Sequence, residues 1–153
     1  MVFKKGQAAL DFLMTYGWAI ALVVIVAAAL FALGVFDVSN FIGTKAAGFS
    51  GIAVKGWNVD TAGTLTVKLS NQVGQRVNIT GVSATIGTTT VAVNGTPVTL
   101  STGADTSTLS TAVAAYGAQT SGAGYTAKMT INYTDLNSGF ASSTTGTLTG
   151  KAV

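Results

Sequence analysis

The sequence predicts an α+β chain: one long apolar N-terminal α-helix followed by a C-terminal all-β sandwich, with an immunoglobulin-like arrangement as the architecture to look for. Three observations carry this. From Phe12 to Phe36 no residue is charged. That run of about 25 residues exceeds the ~20 a helix needs to cross hydrocarbon. Beyond Phe49 the pattern changes to short runs that alternate apolar and polar side chains, separated by turn-forming groups. Finally, of 153 residues 48% are hydrophobic and only 8% charged, whereas a soluble domain carries about 25% charged residues.

The helix comes first. Lys4 and Lys5 precede Gly6, and the stretch from Trp18 to Leu33 is built almost wholly of Ala, Leu, Ile, Val and Phe. It has no polar face, so it is not the surface helix of a globular domain. The helix is expected from Gln7 to about Lys45, a length of roughly 58 Å. The two lysines ahead of it predict a cytoplasmic N-terminus and a translocated C-terminal part. Small residues recur along it, among them Ala8, Ala9, Gly17, Ala27, Ala28 and Gly34, and they permit close approach of neighbouring helices. A hinge is expected near residues 39–51, where Gly43, Gly48 and Gly51 interrupt the pattern.

Strands follow in order. The runs are Gly51–Val59, Thr64–Ser70, Arg76–Ile86, Thr89–Val93 with Val98–Leu100, Tyr125–Tyr133 and Phe140–Leu148. In the Tyr125 run, Tyr125, Ala127, Met129, Ile131 and Tyr133 fall on one face. Thr and Val suit half-buried strands because branching at Cβ packs well on a pleated surface. About seven short strands at this spacing favour a sandwich. Residues 102–124, rich in Ser, Thr, Ala and Gly, are expected to form an irregular crossing.

The chemistry that the residues exclude is extensive. His and Cys are absent and all five acidic residues are Asp. No imidazole base, thiol nucleophile or Cys/His zinc site can form. A net charge of +3, dispersed along the chain, does not make a nucleic-acid footprint, which needs clustered Lys or Arg. Asp60, Asp105 and Asp135 match no calcium loop, and residues 135–139 read as a turn whose Asp bonds its own backbone. No catalytic residue, metal ligand or cofactor is expected, and the chain is read as non-enzymatic. Three sequons offer candidate N-glycosylation sites at Asn78, Asn94 and Asn132, with Pro97 directly after the second weakening it.

A basic start followed by an apolar run also describes a secretory signal peptide, but such a peptide's apolar core has only about 7–15 residues. A simple single-pass anchor fits better, and Asp11 argues for more than an anchor. A carboxylate at bilayer depth costs about 2.5 kcal/mol or more, less near the interface. Its presence points either to the head-group region or to a positive partner on another subunit.

The segment Lys4-Lys-Gly6, Gln7-Ala-Ala-Leu-Asp11-Phe-Leu-Met-Thr-Tyr-Gly-Trp-Ala-Ile20 strongly resembles the class III signal and helix start of archaeal type IV pilins. The resemblance covers about a quarter of the chain; the β-rich remainder is similar only in its Thr-rich character and in the turn at 135–139. It implies a leader of residues 1–6 removed by a prepilin peptidase between Gly6 and Gln7, an assembly and transmembrane helix over 7–47, and a surface β domain over 48–153. Asp11 then occupies the fifth position of the mature chain, where the family carries an acidic residue. Pairing with the Gln7 α-amine of a neighbouring chain would offset two desolvation penalties and fix the axial register. The implied product is a helical homo-oligomeric filament, for adhesion or cell–cell contact, on the cell surface. Its implied partners are the peptidase, an assembly ATPase with its platform protein, and the cytoplasmic membrane before assembly. The rival readings are a single-pass membrane-anchored binding module and an archaellin-like motility subunit.

Overall fold

The computed structural model describes residues 3–33 and 43–153. It contains an α-helix, α1 (Phe3–Ala32), and nine strands: β1 (Lys45–Ala47), β2 (Ile52–Val59), β3 (Leu65–Asn71), β4 (Val77–Ile86), β5 (Thr89–Ala92), β6 (Val98–Leu100), β7 (Leu109–Ser110), β8 (Gly124–Asp135) and β9 (Ala141–Lys151). The chain forms two units, the helix and the β domain. The class is α+β.

The helix forms because its interior lacks proline and is rich in Ala and Leu, both strong helix formers. Its backbone groups bond to one another, which is the only arrangement a single segment has for satisfying them away from water. The expectation of a helix reaching Lys45 is corrected at its far end: residues 45–47 are a strand. Residues 34–42, over which the helix was also expected and which hold part of the expected hinge, lie outside the described residues. At the near end the helix takes in Phe3 to Gly6, ahead of the expected start at Gln7.

The β domain has two antiparallel sheets. One runs β1-β9-β8-β4-β5, with β6 also paired to β4; the other runs β2-β3-β7. Between them lies one core, to which the small sheet contributes Ile52, Val59, Leu65, Val67 and Leu69 and the large sheet Val77, Ile79, Met129, Ile131 and Leu148, all buried. Two sheets around one core make a sandwich. The five residues expected on one face of the Tyr125 run do point inward, four of them buried and Tyr133 packed partly against the core. Burying these side chains supplies the driving force, about 25 cal/mol for each Å² of apolar surface removed from water.

Strand β1 is an addition. It pairs with β9 at Lys45↔Thr149 through Ala47↔Thr147, so the β domain starts ahead of residue 48. Two inward positions of β9 are glycines. A Cβ on Gly146 would meet the Ala47 carbonyl oxygen and the Phe49 ring at 2.6 Å, and one on Gly150 would lie 3.0 Å from the Tyr125 hydroxyl. The stretch expected to be irregular, 102–124, crosses from β6 to the small sheet, forms β7 there, and returns to β8. Asn71 anchors its start: the buried Nδ2 donates to the carbonyls of Gln75, Leu100 and Ser101 at 2.7, 3.2 and 3.1 Å. Tyr116 anchors its end, its hydroxyl donating to the Ala84 carbonyl on β4 at 2.7 Å.

Candidate functional site

The functional candidates of the N-terminal unit lie on α1. Between Leu10 and Leu33 its large apolar side chains are 50–80% exposed, with the exception of the partly buried Leu30. Gly6–Ala32 is long and apolar enough to cross a membrane. Such a surface is incompatible with water as its permanent surroundings: it needs lipid or other apolar helices.

One stripe stands out on the helix, lined by Phe12, Tyr16, Ala19, Ile20, Val23 and Val24. Phe12 and Tyr16, one turn apart, stack with ring centroids 4.6 Å apart. The small Ala19 beyond them leaves a shallow apolar hollow. Sequence reasoning located the small residues but not this stripe, whose signal is the i, i+4, i+8 spacing of Phe12, Tyr16 and Ile20.

Asp11 is exposed on the same helix. Its carbonyl oxygen accepts a hydrogen bond from the Thr15 hydroxyl at 2.7 Å, which satisfies the polar group of Thr15 within the helix itself. The Asp11 carboxylate makes no ion pair among the described residues, where the one ion pair is Lys68–Asp105 at 3.8 Å. Gly6 and Gln7 are exposed on the first turns. Apart from its chain neighbours and the local helix backbone, nothing among the described residues lies within 4 Å of the place a Gly6 side chain would take. Gly6, Gln7 and Asp11 therefore sit within about a turn and a half of one another on an open helix.

The other aspartates of the β domain are not brought together. Asp60 Oδ1 accepts from the Thr64 amide at 2.7 Å, closing the β2–β3 turn. Asp135 Oδ1 accepts from the Asn137 amide at 2.8 Å, the turn expected at 135–139. Asp105 pairs with Lys68. No cluster of three or more metal-ligating side chains forms among the described residues. The sequon residues Asn78 and Asn132 lie on the outer face of the large sheet, and Asn94 follows β5.

Two tyrosines have raised pKa values, both outside α1. Burial pushes the Tyr116 hydroxyl up from 10.0. Burial does the same to Tyr125, against a smaller opposing effect of a backbone hydrogen bond at Val59. Both are structural groups that hold the neutral form inside the sandwich. The sequence matches no protein-family model, and no curated protein matches it either.

Proposed function

We propose that this chain is a structural subunit of an archaeal type IV pilus-like filament, polymerising through α1 and presenting the β domain outward for adhesion or cell–cell contact. The observation that carries this reading is a helix apolar on every side that nonetheless holds an exposed Asp11 near its start. Moving such a helix from lipid into a bundle of like helices exchanges one apolar environment for another, and close contact replaces the hydrophobic effect as the driving force. Asp11 then needs a cation inside the bundle, and the α-amine of a chain beginning at Gln7 supplies one. The resemblance of residues 4–20 to archaeal type IV pilins supports the same reading, with a prepilin peptidase, an assembly ATPase and a platform protein as partners. The chain waits in the cytoplasmic membrane, N-terminus inside, and acts without catalysis.

The test is N-terminal sequencing of the native protein together with the composition of purified surface filaments. The expected mature start is Gln7, with this chain dominating the filament, and Gly6→Val leaving the precursor uncut because a branched side chain obstructs the scissile bond. A native chain that keeps residues 1–6, or starts beyond the apolar run, and that is missing from filaments would overturn the proposal. A second reading has one observation in its favour: Gly6–Ala32 alone suffices to span a bilayer. On that reading the protein is a single-pass anchored binding module, found whole in the membrane fraction of cells and in no filament.

A further inference from the structure

The outer face of the large sheet is unlike an ordinary protein surface. Its lysines, Lys45, Lys128 and Lys151, stand away from the turn at 135–140. The strands nearer that turn carry mainly hydroxyls and amides, Asn78 and Ser83 on β4, Thr130 and Asn132 on β8, Ser143 and Thr145 on β9, with the uncharged Gly81 and Ala141 among them and Arg76 just ahead of β4. Register places Ser83, Thr130 and Thr145 in one cross-strand row, and Gly81, Asn132 and Ser143 in the next. Thr130 and Thr145 share a hydrogen bond of 3.1 Å between their hydroxyls. A strand surface made largely of hydroxyls and methyls suits a neutral carbohydrate, whose own hydroxyls can bond to it and whose C–H faces can rest on the threonine methyls.

Two of the three sequons open onto this surface, and the structure separates them. Asn132 is exposed, three residues before the end of β8 and next to the hairpin turn that leads into β9. Neither its carboxamide nor the Thr134 hydroxyl that completes its sequon makes a hydrogen bond among the described residues. Asn78 is half-buried, with Thr99 of β6 on one side and Thr134 of β8 on the other. Thr80, which completes the Asn78 sequon, already donates its hydroxyl to the Asn132 carbonyl at 3.2 Å. Asn94 is exposed, but its amide is tied to the Ser110 carbonyl at 2.7 Å and Pro97 directly follows its sequon.

We infer that the outer sheet face carries one N-linked sugar chain, on Asn132, and that Asn78 and Asn94 stay bare. Asn78 lies diagonally across the strand pair, about 7–8 Å away, so the sugar on Asn132 covers it. In the transfer, Asn132 Nδ2 forms a bond to the anomeric carbon of a sugar carried on a polyprenyl phosphate or diphosphate. The bond from that carbon to the phosphate oxygen breaks, its electron pair leaves with the phosphate, and the amide gives one proton to a base of the host's transferase. No redox change occurs. The inference rests on the reading above in one respect, that the β domain is translocated.

Native full-length protein from its own cells provides the test. Trypsin, cutting after Arg76, Lys128 and Lys151, leaves Asn132 alone in peptide 129–151 and both other sequons in peptide 77–128. Mass mapping is expected to find one sugar chain per subunit, all of it on peptide 129–151. Asn132→Gln should abolish it without transfer to peptide 77–128, and Asn78→Gln should leave it unchanged. Sugar on peptide 77–128, on both peptides of one molecule, or on neither overturns the inference. Labelling intact cells with a membrane-impermeant amine reagent distinguishes the failures. Labelled β-domain lysines on a bare protein remove the glycan assignment alone, and a bare protein with unlabelled lysines removes the surface reading as well.

Discussion

Asp11 is where a single residue decides most. On a helix whose every side is apolar, a carboxylate is tolerable only with water or a cation beside it. If a neighbouring subunit supplies the cation, Asp11→Ala should reduce filament assembly while membrane insertion stays intact, since the variant helix is more apolar. The partner charge left in a dry core costs about 3–5 kcal/mol, enough to abolish most assembly. Asp11→Glu keeps the charge with one more methylene and should be the best-tolerated change. Counting surface filaments beside the membrane-fractionated subunit tests this; normal filament numbers in Asp11→Ala would leave Asp11 a head-group residue and favour the anchored module. Other single residues act on the fold. Gly63 has φ of +87°, and a side chain there would collide with the backbone of Gly117, so the β2–β3 turn and the loop bearing Tyr116 are locked together at a point only glycine fits.

Among the elements, β9 shows how a strand can hide its own pattern. Its inward positions run Thr144, Gly146, Leu148, Gly150, and only one of these is a large apolar residue. The missing side chains are replaced from elsewhere: Phe49 covers Gly146 and the Tyr125 ring covers Gly150. Thr144 is buried because its hydroxyl accepts from the Ser50 amide at 2.9 Å, fastening the chain just after β1. Gly146→Val should therefore displace Phe49 and strip β1 from the sheet edge, a loss of about 1–3 kcal/mol by overpacking. Chemical denaturation of the β domain checks this, and an unchanged midpoint would mean that Phe49 does not depend on the glycine. Helix α1 is the opposite case, an element whose pattern is plain and whose large apolar side chains are mostly exposed.

At the scale of the whole molecule, the β domain closes its own core without the helix. Residues 43–153 expressed alone should be a soluble, β-rich monomer that forms no filaments; far-UV circular dichroism dominated by helix, or filaments of the truncated chain, would contradict the division of labour. Its pH dependence follows from composition and burial together. With no His and no Cys, no side chain of ordinary pKa titrates between the carboxylates and the amines. The groups with raised values are Tyr116 and Tyr125, whose neutral forms the fold favours. A folded-state pKa above the unfolded 10.0 contributes stability that is fully present below about pH 10 and is lost as pH rises through the higher folded values. Thermal melts should thus hold level from about pH 6 to 9 and fall above 10, with Tyr116→Phe reducing the alkaline slope while losing the hydrogen bond to Ala84.

By itself the sequence determined that an apolar helix precedes a β-rich domain, because an uncharged run of such length and a period-two alternation are local signals. It also located the turn at 135–139, whose Asp135 side chain bonds to the amide of Asn137. Tertiary structure alone decided the rest. Strand β1 exists only because β9 offers it an edge, and β7 only because β3 does, so neither shows a run of its own. The inward glycines of β9 are legible only once Phe49 and Tyr125 are seen above them. Asn78 and Asn132 are 54 positions apart in sequence and look equivalent there; pairing between β4 and β8 makes them neighbours and makes them different. Local chemistry is written in the order of residues, whereas burial, register and the company each side chain keeps are fixed when distant segments meet.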